Sequence, residues 1–335
     1  MVNPLESSLA ILRITVMDSV YKYGYCHRYR PGKGNQNTKA DGTPEPMDVQ
    51  QWSDGFTTRW VPSDIRQNFG ARKELAEQLG WTDNNVKYRF NQWGFRHQGD
   101  FVENKNALVA LGCSITFGVG VNYEQTWPYY VARELGLDCV NLAQPGTGIQ
   151  ASYRAAKMWL PVIKPKAVMF YVPDPHRLEL WPYPDVREED HYGDSAVSIG
   201  PWHNNGGTDK KWRDFFEMNM SSRETAIRRE AYMDAMRHIC REFKFIDIPA
   251  TEQTAGRSSK TDNINDMIVI DKVHNIAEET KAKLNHELRA QNPNAEFTGC
   301  PNTDEARWAR DMVHPGPRVM RDNIAPMFIR KYRAS

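Results

Sequence analysis

A chain of 335 residues is long enough to bury one large core or two smaller ones. Its 43 Lys and Arg are balanced by 42 Asp and Glu, mixed along the chain; nothing forms the basic stripe of a nucleic-acid binder, and no apolar run approaches a membrane span. The five cysteines (Cys26, Cys113, Cys139, Cys240, Cys300) are odd in number and scattered, which argues for a reducing compartment, and the first ten residues carry Glu6 without a basic start, so the expectation is a cytoplasmic chain with no signal peptide.

The first expected element is a helix over 5–25, with Leu9, Leu12, Val16 and Val20 on one side. Residues 28–48, rich in Gly, Pro, Asn and Lys, read as a loop. From 51 to 100 the chain is aromatic and polar by turns, with one helix expected over 71–79 and stopped by Gly80. The run Ala107-Leu108-Val109-Ala110-Leu111 then reads as a buried parallel strand feeding into Gly112-Cys113-Ser114. A helix is expected over 123–135, with Trp127, Val131 and Leu135 on its apolar face. A second strand over 139–143 leads to a turn over 144–148. The next helix places Ile149, Tyr153, Ala156 and Leu160 on one face and is limited by Pro161. The third strand covers 167–172. This β-α-β-α-β order predicts a parallel sheet with right-handed crossovers.

Beyond it, 174–220 is irregular, with Trp181, Tyr183, Tyr192, Trp202 and Trp212 among Pro, Gly and Asn. A helix over about 222–243 opens with a capping box from Ser221 to Glu224 and carries Met233, Met236, Cys240 and Phe243. A strand over 245–248, a loop over 251–263, a short strand over 267–270 and helices over 276–288 and 318–332 complete the chain, the last carrying Met320, Ile324 and Met327.

Ser114 stands at the carboxyl end of the first parallel strand, where ligands and chemistry collect in open α/β sheets. The plain alternative is a simple turn or a phosphate-binding loop. The stretch is not the Gly-x-Ser-x-Gly elbow of α/β-hydrolases, because Thr116 stands where the second Gly belongs. A nucleophilic serine needs a base, and the base an orienting acid. Two Asp-x-x-His pairs could supply them, Asp271 with His274 and Asp311 with His314. The second is preferred: Pro315 biases His314 towards extended backbone, and Asp311 on the same loop can reach the imidazole Nδ1. Taken alone, either pair reads first as an ordinary turn or surface pair. No Cys-x-x-Cys or His-Glu-x-x-His spacing is present, so no metal is expected, and acyl-ester hydrolysis through an acyl-serine would need no cofactor.

Four stretches together resemble the SGNH hydrolases, the GDSL-like esterase superfamily. Residues 112–120 resemble the nucleophile block, and Asn141-Leu142-Ala143-Gln144-Pro145-Gly146 the second block. Asp311-Met312-Val313-His314-Pro315 resembles the final block, and Asn91 to Arg96 the Asn-x-x-Gly-Phe-Arg lead-in of some members. The resemblance implies a three-layer α/β/α sandwich with a flavodoxin-like sheet over 104–335, preceded by an extension over 1–103 that packs on or is linked to it. It implies a serine esterase in which Ser114 attacks, His314 carries the proton and Asp311 orients His314. The N–H groups of Ser114 and Gly146 would hold the oxyanion, and the substrate would be a small acyl ester, such as an O-acetyl group on a glycan. Two departures stand out. Cys113 replaces the Asp of the nucleophile block, and is read as a small buried filler rather than as a rival nucleophile. The third strand ends Val172-Pro173-Asp174-Pro175-His176-Arg177, without the Asn whose side chain completes the oxyanion hole; His176 or Arg177 would have to donate instead. Acyl transfer to a sugar hydroxyl, and a carbohydrate-binding or structural protein with impaired catalysis, stand as the alternatives. Aromatic residues of the 181–212 stretch, Trp181 and Trp202 first, are the expected wall for a sugar; their alternative role is to staple a long loop.

Overall fold

The computed structural model describes residues 50–250 and 303–335, apart from 53–54, 62–63, 92, 181–196, 201–209, 211–213, 216–217, 219–220 and 307. The expected elements over 5–25, 267–270 and 276–288, the pair Asp271 and His274, and the aromatic residues Trp181, Tyr183, Tyr192, Trp202 and Trp212 lie outside the described residues.

In chain order the strands are β1 Gln50–Trp52, β2 Gly55–Thr58, β3 Tyr88–Asn91, β4 Ala107–Leu111, β5 Asp138–Asn141, β6 Ala167–Val172, β7 Leu178–Leu180, β8 Val197–Ile199 and β9 Lys244–Pro249. The α-helices are α1 Arg66–Ala71, α2 Lys73–Gln78, α3 Ser114–Phe117, α4 Trp127–Leu135, α5 Ile149–Ile163, α6 Ser222–Ile239, α7 Pro317–Val319 and α8 Ala325–Ala334. Four strands form the central parallel sheet in the order β5-β4-β6-β9. Counted along the sheet's own strands this is 2-1-3-4, the flavodoxin-like order, with its direction reversing between β4 and β6.

The alternation of side chains along these strands separates two cores. Ala107, Val109 and Leu111 of β4, with Val168, Phe170 and Val172 of β6, face a layer containing α5 and α6. Leu108, Ala110, Met169 and Tyr171, with Ile246 and Ile248 of β9, face α4 and α8. The reversal of strand order sends α4 to one face and α5 and α6 to the other, as right-handed connections require. The fold is a three-layer α/β/α sandwich. Both faces of β4 and β6 are covered, which is why every residue of these two strands is buried and their sequences are uninterrupted apolar runs. On the α4 side Trp127 stacks flat on Phe328 of α8, ring centroids 4.1 Å apart.

Several elements depart from the sequence expectation. The helix expected over 123–135 is a 3₁₀ turn, Tyr123–Gln125, followed by α4. Thr126 is extended between them, and the Asn122–Gln125 capping box closes the turn on itself. Helix α5 does not stop at Pro161 but runs to Ile163, ending at Lys164 in a left-handed conformation (φ 49°). Pro161 is exposed and lies in the last turn, so it removes one hydrogen bond where few remain, while Leu160 and Ile163 stay buried. Helix α6 ends at Ile239, four residues early, although Met233, Met236 and Cys240 are buried as expected. The final helix is interrupted by a π-turn, Met320–Ile324, with the Ala325 N–H reaching the Met320 carbonyl. Pro326 has no N–H with which to continue the normal ladder there. The helix over 71–79 is instead α1 and α2, broken at Arg72.

Between 50 and 91 the sequence expectation held no strand, yet β1, β2 and β3 form an antiparallel sheet, with Phe56 opposite Phe90. Trp60, Phe69, Trp81 and Phe90 of this segment, and Phe95 just beyond it, belong to the same buried cluster as β4, β6 and α5. Phe101 meets Trp159 of α5 edge-on, at 4.5 Å between centroids.

Candidate active site

Ser114 is the first residue of α3, immediately beyond β4 and beside the point where the strand order reverses. The turn into it is sterically exacting. Gly112 has φ 152°, and a Cβ there would lie 2.2 Å from Thr116 Oγ1 and 3.0 Å from the Tyr171 carbonyl. Only glycine lets β4 turn this closely against β6. The four-residue helix is then held from outside. Asn141, at the end of β5, donates from Nδ2 to the Thr116 carbonyl (2.8 Å). Arg96 donates to the carbonyls of Phe117 (2.8 Å), Gly118 (2.6 Å) and Val121 (2.6 Å), satisfying the groups a helix end leaves open. The Arg96 guanidinium lies over the Tyr88 ring, 4.6 Å from its centroid. Thus the Asn91–Arg96 lead-in has a structural purpose: Asn91 Oδ1 accepts from the N–H groups of Trp93 (3.1 Å) and Phe95 (3.0 Å), and the resulting turn delivers Arg96 to α3. Ser114 is 7% exposed and Cys113 2% exposed.

The 144–148 turn, which carries Gly146 (φ 67°), is tied to the same place by the Gln144 N–H, which donates to the Gly112 carbonyl (3.2 Å). The Thr147 hydroxyl donates to the Gln144 carbonyl (2.6 Å).

Asp311 and His314 sit on a loop closed by a bridge between Trp308 and Pro315. The imidazole Nδ1 is 2.5 Å from Asp311 Oδ2, and Asp311 Oδ1 accepts from the N–H groups of Val313 (3.1 Å) and His314 (3.0 Å). Asp311 is completely buried, and His314 is 9% exposed. Burial pushes the Asp311 carboxyl upward, but the His314 charge, its ring hydrogen bond and the two backbone donors outweigh this and leave it below its ordinary value. Between acid and base, Met312 is held at φ 55°, a left-handed conformation costing about 1–2 kcal/mol for a residue with a side chain. Such strain persists only where the surroundings over-determine it. Here the Met312 N–H donates to the Ala309 carbonyl and the Ala309 N–H to the His314 carbonyl, both at 2.9 Å. The loop also meets the Ser114 segment directly, the Arg310 N–H donating to the Gly120 carbonyl (2.8 Å).

His176 and Arg177 follow β6 on a turn packed against the 146–148 segment: the Arg177 carbonyl lies 2.5 Å from where a Cβ on Gly148 would be. Asp174 Oδ1 accepts from the His176 N–H (2.7 Å) and is 2.9 Å from its Nδ1, forming a second carboxylate–imidazole pair. The Arg177 N–H donates to the Asp174 carbonyl (3.2 Å). With Nδ1–H donating to Asp174, Nε2 of His176 donates a hydrogen bond only in the imidazolium form. Beyond this turn, Arg154 of α5 and Glu179 of β7 form a buried two-pronged pair, at 2.9 and 2.6 Å, that ties β7 to α5.

Sequence reasoning did not find the buried charges behind the loop. Asp64, Tyr88 and Arg310 are fully buried and bonded to one another, with Asp64 and Arg310 separated by 246 positions. No local pattern links them; the one available signal was an arginine directly beside Asp311.

No family model matches the chain, and no curated protein matches it. Among solved structures, one described as the active site of a carbohydrate esterase with divergent catalytic and non-catalytic binding functions is similar over 76% of this chain and 70% of its own, at 12% identity and a TM-score of 0.33. A likeness this slight has no bearing on residues or activity.

Proposed function

We propose that the chain is a serine esterase acting on a small acyl ester. Ser114 Oγ attacks the acyl carbon while His314 Nε2 takes its proton, and Asp311 holds the imidazole through Nδ1. The tetrahedral oxyanion is met by the N–H groups of Ser114 and Gly146, with His176 as a third donor in its imidazolium form. Collapse expels the alcohol, which leaves with the proton from His314. Water then attacks the acyl-serine, giving its proton to His314, and the second collapse returns that proton to Ser114 as the acid departs. The observation that carries this reading is the Asp311–His314 contact of 2.5 Å on a loop hydrogen-bonded to the far end of the Ser114 segment. The resemblance to SGNH hydrolases adds the acyl class, with O-acetyl groups on a carbohydrate as the favoured substrate and transfer to a sugar hydroxyl as the same chemistry with a different acceptor.

The test is turnover of p-nitrophenyl acetate together with labelling by a fluorophosphonate. Ser114→Ala should lose both, and His314→Ala should lose several orders of magnitude in kcat. Labelling that survives in Ser114→Ala would sink the reading. A second reading, a glycan-binding protein with impaired catalysis, is favoured by one feature: the position where the family places an Asn donor holds Asp174, a carboxylate already engaged with His176. No labelling of the unaltered chain, with retained binding to acetylated glycans, would select it.

A further inference from the structure

We infer that Asp64 and Tyr88 are positioning residues for the Asp311–His314 pair, acting through a closed ring of hydrogen bonds that locks the acid–base loop to the nucleophile segment. The Tyr88 hydroxyl accepts from the Gly120 N–H (2.7 Å) and donates to Asp64 Oδ2. Asp64 in turn accepts from Arg310, from Nη2 to Oδ2 (2.8 Å) and from Nε to Oδ1 (3.1 Å). The backbone N–H of Arg310 returns to the Gly120 carbonyl at 2.8 Å, closing the ring. Gly120 lies on the segment that begins with Ser114, and Arg310 directly precedes Asp311, so the ring ties the stretch carrying the proposed nucleophile to the one carrying the acid and base.

The ring has no slack. The remaining guanidinium donors of Arg310 go to the carbonyls of Arg59, Thr82 and Asp83, and its plane lies 3.9 Å from the Trp60 ring centroid. All of these partners come from residues 59–83. Two further bonds run from the same segment to the loop: Arg72 Nη1 donates to the Asp311 carbonyl (3.0 Å) and Trp81 Nε1 to the Trp308 carbonyl (2.9 Å). Asp64 is also close enough to Asp311 for the two carboxylates to repel, which raises the Asp64 carboxyl beyond what burial, the larger cause, already does; Arg310 opposes both. A purely structural ion pair could sit anywhere in the core. This one is anchored on Arg310, two residues before the strained Met312, and is linked through Tyr88 to Gly120 of the Ser114 segment, the two stretches whose relative position decides whether imidazole and serine meet.

The inference rests on the esterase reading for its effect on rate, but not for its effect on the imidazole. The low-field proton resonance of His314 Nδ1–H reports the 2.5 Å contact whether or not the chain turns anything over. The test uses the full chain, Tyr88→Phe, and the double variant Asp64→Leu with Arg310→Met. Replacing both members of a buried ion pair by apolar residues is often neutral for stability, and Tyr88→Phe removes only an oxygen. Both variants should keep a cooperative unfolding transition, shift or broaden the resonance, and lose roughly 10–10² in kcat on p-nitrophenyl acetate with KM within about two-fold. A resonance unchanged in folded Tyr88→Phe, with kcat unchanged wherever the parent turns over, overturns the inference. If the double variant does not fold, Tyr88→Phe decides alone. A parent chain with no turnover and no Ser114 labelling removes the esterase reading and leaves the resonance to decide on positioning.

Discussion

Gly120 is the place where the two halves of the proposed machinery touch, and substituting it by alanine separates strain from displacement. Its φ is 75°, so any L-residue there carries a left-handed cost of about 1–2 kcal/mol. In addition, the new Cβ would stand 2.7 Å from Ala309 Cβ, 2.9 Å from the Arg310 nitrogen and 3.1 Å from the Asp311 nitrogen. The second and third of these are backbone atoms of the acid–base loop, with no rotamer to escape into. To restore ordinary contact the loop must retreat by roughly 0.5–1 Å, and overpacking of this kind costs about 1–3 kcal/mol. Gly136, which caps α4, is the matched control: its φ is 65°, and a Cβ there meets nothing within 4 Å. Gly120→Ala should therefore be destabilised by about 1–3 kcal/mol more than Gly136→Ala, read as the difference between their denaturation midpoints at equal slope. It should also lose roughly 10² in esterase kcat, since the loop moves with Asp311 on it. Gly136→Ala should keep its rate. Equal stability and equal rate in the two variants would refute the packing argument and, with it, the claim that the Gly120 contact sets the loop.

Two further predictions rest on histidines outside the loop. His97, stacked on Phe101 with centroids 5.2 Å apart, is held down to about 4 by burial, against the weaker pull of Asp100. The unfolded chain therefore takes up a proton near 6.5 that the folded chain refuses until about 4, so stability falls as pH drops through that window, by on the order of 2–3 kcal/mol, and is unaffected by this residue above it. His97→Phe, which keeps the stack, should flatten that part of a stability–pH curve; an unchanged slope would show that the ring is open to water in the folded chain. His176→Ala should cost roughly 10²–10³ in kcat on p-nitrophenyl acetate with little change in KM if its imidazolium meets the oxyanion, whereas an unchanged kcat would leave the backbone donors to do that alone.

What the sequence made legible follows the range of the interactions. Strands β4 and β6 could be read because both faces are covered and their residues are uniformly apolar, and the helices between them fixed a parallel sheet. The Asp311–His314 contact was also within reach, because both residues share one loop and Pro315 constrains it. The π-turn before Pro326 and the continuation of α5 through Pro161 were misjudged for one reason: a proline's effect depends on how many hydrogen bonds surround it, and periodicity does not report that. The strands β1 to β3 escaped because they are only three or four residues long, too short for alternation to stand out, and the aromatic residues of β3, Tyr88 and Phe90, pack into the same cluster as the distant parallel sheet.

The same contrast bears on where the chain divides. A boundary near 103–104 follows from the resemblance, since everything resembling a hydrolase block except the Asn91–Arg96 lead-in lies beyond it. The contacts do not respect that line. Arg96 closes the end of α3, Trp81 and Arg72 hold the loop of Asp311, and Asp64 neutralises an arginine that would otherwise be a buried, unpaired charge, a defect worth about 3–5 kcal/mol. The apolar side chains of 60–101 share one buried cluster with β4 and β6. We therefore propose that residues from about 57 onward are part of the hydrolase-like unit itself. On that view the strained Met312 loop explains why such a segment is needed: a conformation that costs free energy in isolation needs fixed neighbours, and these neighbours come from the part of the chain that precedes the first parallel strand.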